Sequence, residues 1–405
     1  MKPSVIYVTR NGLLEPLGQS QVLGYLLQLS NDYDIVLFTR EKEADWANLP
    51  QRQRQKAQCE THNIDWRPSL FKPRRTFLTP LRDMLDSALE VKNAVLETNA
   101  SLIHARSYLS AAVARWVSRK TGVPFIFDMR ALWPEELIVA KKITRGGIPH
   151  RVLTLFEKLC LRDAAAVISL THAASRYLKA TYPQELQNKA IEVIPTCADL
   201  NRFRPGLTKP VIETHAAIGT MLSGWFLTEW LRNWFELCEK RSPNCNFEVI
   251  TRDAAVLVRK QIDPLGRLGG RLKIQSKTPD EMPLAIQGHS TSAMFFTNGV
   301  AKLGSAPTRL AEVLGCGVPV IVNEGVGDVA EIVRTNKIGV VVSSATPDEL
   351  EHAYDELEIL RRDRHLPARC RETAQEIFSL TAGANKFREV YARIINFNSI
   401  STDHK

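Results

Sequence analysis

The sequence predicts an α/β protein of two domains, each a doubly wound parallel sheet. Three observations lead there. Short apolar runs of strand length alternate with helical patterns along the whole chain. The 405 residues exceed what one ordinary hydrophobic core holds, so two domains of about 200 residues are expected. Hydrophobic content of 44% and charged content of 24% belong to a globular chain, and no stretch approaches the roughly 18 apolar residues of a membrane helix.

The elements follow in order. Val5-Ile6-Tyr7-Val8 reads as a buried parallel strand. A glycine-containing loop, Thr9 to Ser20, leads into a helix through Val22, Leu23, Leu26, Leu27 and Leu29. Strand-like runs recur at 35–39, 101–105, 124–128, 165–170 and 191–194, with helical patterns at 43–60, 81–98, 109–120, 149–163 and 172–180. Pro205 to Pro210 reads as a linker. Beyond it, strands are expected at 216–221, 247–251, 272–276, 293–297, 318–322 and 339–342, and a helical tail from 347 to about 397 closes the chain. Ligands of such sheets bind beyond the carboxyl ends of the strands. That rule singles out Thr9, Arg10 and Asn11, then Arg106 and Ser107, then Asp128 and Arg130. An Asp128–Arg130 pair is also a simple strand-end ion pair. His104, inside an apolar run, reads as a core histidine.

Several function classes lack their signatures. There is no G-x-G-x-x-G and no P-loop lysine. Asp32-Tyr33-Asp34 has D-x-D spacing but precedes its strand, and reads as a turn. Glu135 and Glu136 are adjacent and point apart on any helix. Seven scattered cysteines form no C-x-x-C pair, which points to a reduced, cytoplasmic chain without structural zinc. The start, MKPSVIYVTR, has too short an apolar run for a secretory signal. The net charge is +9, with basic clusters at Arg52, Arg54 and Lys56, at Lys72, Arg74 and Arg75, and at Lys141, Lys142 and Arg145. These are either a solvated basic face or a surface attracted to an anionic membrane. Aromatics (Trp46, Trp66, Phe71, Phe77) lie near the charges, but no nucleic-acid module pattern is present.

The chain is organised around Lys302 to Val329. Ser305 reads as an N-cap and Pro307 as part of the first helical turn. The free N–H groups of such a helix start suit an anionic phosphate. Thr308 and Glu312 are four apart and share a helix face. Cys316-Gly317 ends the helix, Val318 to Val322 is a short strand, and Asp328 is placed to cap the next helix. Lys302 and Arg309 flank the helix start, and Arg252 follows its own strand; each offers positive charge to a diphosphate.

The stretch SAPTRLAEVLGCGVPVIVNEGVGD resembles the nucleotide-sugar signature of family 4 glycosyltransferases. The resemblance returns, in the family's order, in GLLEPLGQSQVLGYLLQL, LIHARSYL, PFIFDMRALWPEE and VIPTCADLNRFRP. It implies the GT-B fold: two Rossmann-like domains facing a cleft. The acceptor-side domain would span 1–206, the nucleotide-sugar domain 207–379, and a last helix at about 380–397 would cross back onto the first domain. The implied reaction is retaining transfer of a hexosyl unit from a nucleotide-diphosphate sugar to a glycan or lipid-linked acceptor, in polysaccharide or cell-surface glycan biosynthesis. It would run at the inner face of the cytoplasmic membrane, without metal or other cofactor and without nucleic acid. In this reading Glu312 binds the ribose, and Ser305, Pro307 and Thr308 hold the diphosphate with help from Lys302, Arg309 or Arg252. Gly18 lets the first loop approach the ligand, or merely makes a tight turn. Arg106, Asp128 and Arg130 are the catalytic candidates on the first domain. Arg106 occupies the place of a family histidine that approaches the donor sugar. Two departures stand out. Gly304 replaces the first of two family glutamates, and Gly219 to Trp225 lacks the family's basic diphosphate clamp. A non-catalytic nucleotide-sugar-binding subunit and a sugar-nucleotide epimerase are therefore the alternatives.

Overall fold

A computed structural model describes residues 2–71, 79–207 and 212–402. The basic residues Lys72, Arg74 and Arg75, with Phe77 and the end of the expected linker (208–210), lie outside the described residues. The chain forms two compact units: Met1–Pro195 with Leu380–Lys405, and Thr196–Ser379. The division falls ahead of position 206.

The first unit is a seven-stranded parallel sheet. Its strands are β1 (Ser4–Thr9), β2 (Asp34–Glu41), β3 (Ile64–Leu70), β4 (Leu102–Arg106), β5 (Phe125–Met129), β6 (Ala166–Ser169) and β7 (Ile191–Val193). Their order is β3-β2-β1-β4-β5-β6-β7, so the winding reverses between β1 and β4. β1 and β4 are buried on both faces, as their unbroken apolar character requires. β3 was not expected, because Pro68 breaks its pattern. It is an edge strand, where a missing backbone donor is tolerated. The expected helix at 43–60 is two helices, Glu43–Trp46 and Leu49–Thr61. The break comes where Asn48 caps Gln51 N at 3.3 Å and Pro50 takes the first turn.

The first loop is a built object. The Glu41 carboxylate, fully buried, accepts from Leu13 N (2.8 Å), Leu14 N (3.2 Å) and Thr39 Oγ1 (2.7 Å). The helical stretch that follows carries a π-turn at Gln19–Leu23. The last helix, Leu380–Thr402, belongs to this unit. Its Phe387 and Tyr391 pack against Tyr25 and Tyr33, each with ring centroids 5.2 Å apart.

The second unit is a six-stranded parallel sheet: β8 (Thr214–Ile218), β9 (Asn246–Ile250), β10 (Leu272–Gln275), β11 (Thr291–Met294), β12 (Val320–Asn323) and β13 (Gly339–Val342). The order β10-β9-β8-β11-β12-β13 repeats the plan of the first unit, with the switch between β8 and β11. Strand periodicity divides the core. Val320 and Val322 join Leu310, Leu314 and Val333 on one face, while Ile321 joins Trp234, Phe247 and Phe295 on the other. The expected helical tail is three helices: Pro347–Arg362, Leu366–Phe378 and the helix already placed in the first unit. From the second of these, Arg371 donates to the carbonyls of Leu200 (2.7 Å), Gly315 (3.0 Å) and Phe203. It thereby fixes the irregular 200–203 segment to the end of the helix 308–315, where a Cβ on Gly315 would lie 2.8 Å from Leu200. All seven cysteines are free and buried.

Candidate functional site

In the second unit the helix Thr308–Gly315 starts two residues later than the N-cap reading of Ser305 expected. Pro307, not Ser305, stands in the N-cap position (φ −63°, ψ 120°), and no side chain caps the helix. The physical reason is local. The proline ring disfavours helical geometry for Ala306, whose carbonyl instead accepts from Thr196 Oγ1, and Ser305 N closes the preceding helical turn onto Lys302 O at 3.0 Å. The helix start survives the shift. Leu310 N bonds to Pro307 O, leaving Thr308 and Arg309 N–H as the helix's first donors, without intrahelical partners.

Glu312 sits one turn inside, on the same face as Thr308, with only 7% of its surface exposed. Burial pushes its carboxyl above the ordinary range, opposed by Arg309 and by Arg202. Arg309 does not flank the helix start as expected. Its guanidinium turns back to pair with Glu312, as the i, i+3 spacing permits. Arg309 is itself 40% exposed, so the pair opens to the surface and is not sealed in the core.

Arg202 joins this pair to a cavity. It donates to Pro279 O and Asp280 Oδ1, both at 3.0 Å. Pro279 lines a cavity of about 530 Å³ with Arg252, Ser276, Lys277, Thr278 and Glu281. Arg252 follows β9 and Ser276 follows β10, so the cavity lies at the carboxyl edge of the sheet. Glu281 organises its rim by accepting from Thr278 N (2.8 Å) and Thr278 Oγ1 (2.7 Å).

Lys302 is placed at the switch point of this sheet. Its ammonium lies 3.8 Å from the ring centroid of Trp225, on the loop that follows β8. The segment Gly219–Trp225, which has no basic residue of its own, therefore meets a cation from elsewhere in the chain. The Lys302 carbonyl accepts from Gly327 N at 2.9 Å, tying down the loop after β12. Asp328 occupies the N-cap position of the next helix but its side chain makes no capping bond there, contrary to expectation.

In the first unit the structure brings Arg106, Asp128 and Arg130 together. Asp128 Oδ1 accepts from Arg130 Nη1 at 3.3 Å, and its Oδ2 lies 3.4 Å from His104 Nε2. His104 Nδ1 is 2.7 Å from the Tyr391 hydroxyl, and Tyr7 stacks on the imidazole at 4.3 Å. Burial opposes ionisation of Asp128, but Arg130, His104 and Arg106 outweigh it and hold the carboxyl down at about 2. Burial lowers the His104 pKa and keeps the ring neutral, in line with a core histidine. Arg106 Nη1 reaches Asn11 Oδ1 at 3.4 Å, bridging the ends of β4 and β1.

Gly18 sits in a tight turn, one of the two readings considered for it. A Cβ there would lie 1.8 Å from the Gly12 carbonyl oxygen, so its smallness lets the loop fold on itself. Asp32 Oδ2 accepts from Arg388 Nε at 2.7 Å, consistent with a turn. Among the described residues no group of three His, Cys, Asp or Glu side chains is arranged to hold a metal, and no helix is long and apolar enough to cross a membrane.

Sequence reasoning missed Arg202, Trp225 and the 276–281 rim. Pro279-Asp280 is turn chemistry that marked a loop, but nothing marked its closeness to Glu312.

Comparison with known proteins follows this geometry. Residues 22–197 match the model of the glycosyl transferase 4-like domain. A search of curated protein sequences gave no match. Among solved structures, the chain is similar to a sucrose-phosphate synthase from Thermosynechococcus elongatus (15% identity, TM-score 0.67), covering 98% of this chain and 100% of that one. It is similar to Anabaena HepE in complex with UDP and glucose (15%, TM-score 0.68), covering 96% and 99%. It is also similar to a glycosyltransferase from Rickettsia africae (14%, TM-score 0.70), covering 97% and 99%.

Proposed function

We propose that this chain, whose residues 22–197 match the glycosyl transferase 4-like domain and whose fold is similar to that of solved glycosyltransferases, moves a hexosyl unit from a UDP-sugar to a glycan or lipid-linked acceptor, with retention of configuration. The observation that supports this best is the helix start at Thr308 with the Glu312 carboxylate one turn behind it. Thr308 and the first free N–H groups receive the diphosphate, with Pro307 and Ser305 shaping the approach. Lys302 adds the full positive charge that a departing diphosphate calls for. Glu312 accepts from the ribose hydroxyls, and Arg309 neutralises it before the nucleotide arrives. The cavity beside Arg252 takes the base. A similar protein, Anabaena HepE, carries UDP with glucose and UDP-glucose in its solved structures, which supports uridine as the base. The proposal assigns no metal or other cofactor to the reaction. On the first unit Arg106, Asp128 and Arg130 serve the substrate.

A thermal-shift panel of nucleoside diphosphates and their sugars tests the donor. Stabilisation by UDP and UDP-hexoses, lost in Glu312→Gln, is the expected result. No response to any nucleotide would overturn it. Product anomer analysis by NMR tests retention.

The same reading places the enzyme as a peripheral protein on the inner face of the cytoplasmic membrane, in polysaccharide or cell-surface glycan synthesis. Ile148, Val152 and Leu155 support it. They lie at i, i+4 and i+7 on the helix Ile148–Asp163 and are 79%, 60% and 57% exposed, beside exposed Lys141, Lys142 and Arg151. Flotation with vesicles containing phosphatidylserine, against neutral vesicles, tests it. Equal behaviour with both would remove the electrostatic part of the proposal.

A further inference from the structure

The switch point of the first sheet holds more positive charge than it neutralises. Arg106 is 4% exposed and the Arg130 side chain 9%. One carboxylate, Asp128, stands with both of them. Among the described residues its only close ion pair with an arginine is to Arg130, and that contact is a long 3.3 Å. Arg106 forms no ion pair among the described residues; its side chain reaches Asn11 Oδ1 at 3.4 Å and the Tyr7 hydroxyl, neither of which is a counter-charge. With His104 neutral, the cluster carries one uncompensated charge out of contact with water. The imbalance is visible atom by atom. Arg106 Nε, Arg130 Nε and Arg130 Nη2 are buried donors with no hydrogen-bond partner among the described residues. Buried donors are nearly always satisfied, and a buried unpaired charge is costly.

The surroundings are those where open parallel sheets take their ligands. Arg106 and Arg130 are at and just past the carboxyl ends of β4 and β5, beside the β1/β4 reversal. Ser107 follows Arg106 at φ 78° and leads straight into the helix Tyr108–Thr121, whose first turn carries Ser110, another buried hydroxyl without a partner.

We propose that this switch point is a receptor for an oxyanion of the substrate, a carboxylate or a phosphate, held by Arg106 and Arg130. Guanidinium forks match both groups, and an incoming anion supplies the charge and the acceptors that the cluster lacks. The carrier is a charged sugar, such as a uronic acid, or a phosphate ester of donor or acceptor. The identity of the carrier rests on the glycosyltransferase reading; the oxyanion site does not. Burial and the neighbouring Arg130 both depress the Arg106 pKa, which is the strain such a ligand would relieve.

The test uses the full chain saturated with UDP, so that the second unit's phosphate site is occupied. Glucuronate, inorganic phosphate and neutral glucose are titrated separately, with affinity read by calorimetry and the unfolding midpoint by thermal shift. The expected result is binding of at least one anion and not of glucose. Affinity is expected to fall tenfold or more in Arg106→Gln and in Arg130→Gln. Arg106→Lys keeps the charge but loses the fork, and is expected to fall between wild type and Arg106→Gln, which preserves the test if the glutamine variants do not fold. Preference for glucuronate assigns a carboxylate carrier; preference for phosphate assigns a phosphate ester. Binding of neither anion, or equal binding by wild type and variants, overturns the proposal. UDP binding, measured first, separates the two readings: intact UDP binding with no anion response removes only the oxyanion site.

Discussion

The two sheets share a strand plan and use opposite strategies at their switch points. In the first, the cations Arg106 and Arg130 stand at strand ends, dry, with one nearby carboxylate, which pairs with Arg130. In the second, Lys302 and Arg309 ride on helices, and each has a provisional partner, the Trp225 face and Glu312. Strand-end cations in a dry environment create a fixed field. Helix-borne cations at the surface can be redirected when a ligand arrives. The same backbone plan thus carries a fixed charge cluster and an adjustable one, and the difference lies in which element bears the charge.

The sharpest way to break this comparison is Asp128→Asn. It leaves two buried guanidiniums with no counter-charge and is expected to cost about 3–5 kcal/mol in chemical denaturation. Arg106→Gln removes the surplus charge instead and is expected to be near neutral. If the two variants are equally destabilised, the excess-charge account of the first switch point fails.

Glu312→Gln is next in size. Loss of a charged acceptor is expected to weaken UDP binding about a hundredfold by calorimetry. Stability should hold or rise. Burial raises the Glu312 pKa, so its stabilising contribution is complete below the unfolded value and is lost as pH rises through the folded one. Ionising the buried carboxylate therefore costs the fold stability, a cost that the amide removes.

Acid titration tests the first unit with the opposite sign. The Asp128 carboxyl is held at about 2 against an ordinary 3.8. Its contribution, ~2 kcal/mol, is complete above 3.8 and disappears as pH falls through 2. Denaturant midpoints of wild type between pH 5 and pH 2 should fall more steeply than those of a variant lacking this carboxylate.

The smallest effect is expected for Lys302→Ala. A half-buried cation near a diphosphate is worth about tenfold in affinity, ~1.4 kcal/mol. Lys302→Arg should recover most of it, and the loss should shrink in high salt. A loss unaffected by salt would assign Lys302 a packing role on Trp225.

Much of this architecture was legible beforehand. Apolar runs such as Val5–Val8 and the 318–322 segment announced strands because parallel strands are buried on both faces. Thr308 and Glu312 fell on one helix face because helical spacing does not depend on tertiary context. Boundaries set by competing local rules were harder. Ser305 has cap chemistry, yet Pro307 governs where the helix begins. β3 stayed hidden because Pro68 makes sense only once the strand is known to be an edge. The 276–281 rim and Arg202 were invisible for another reason: loops far apart in the chain build that surface, and no spacing rule records their meeting. Gly18 shows the same limit, since only the fold reveals that Gly12 lies against it.

The last helix, Leu380–Thr402, completes the unit that the first residue began. On the ribosome, residues 1–195 must wait for all of 196–379 to emerge before Phe387 and Tyr391 can cover Tyr25 and Tyr33. An aromatic surface stays open throughout that interval, the condition under which nascent chains stray into aggregates. A stop codon just before Leu380 would therefore injure the amino-terminal half of the protein, sparing the half it directly follows.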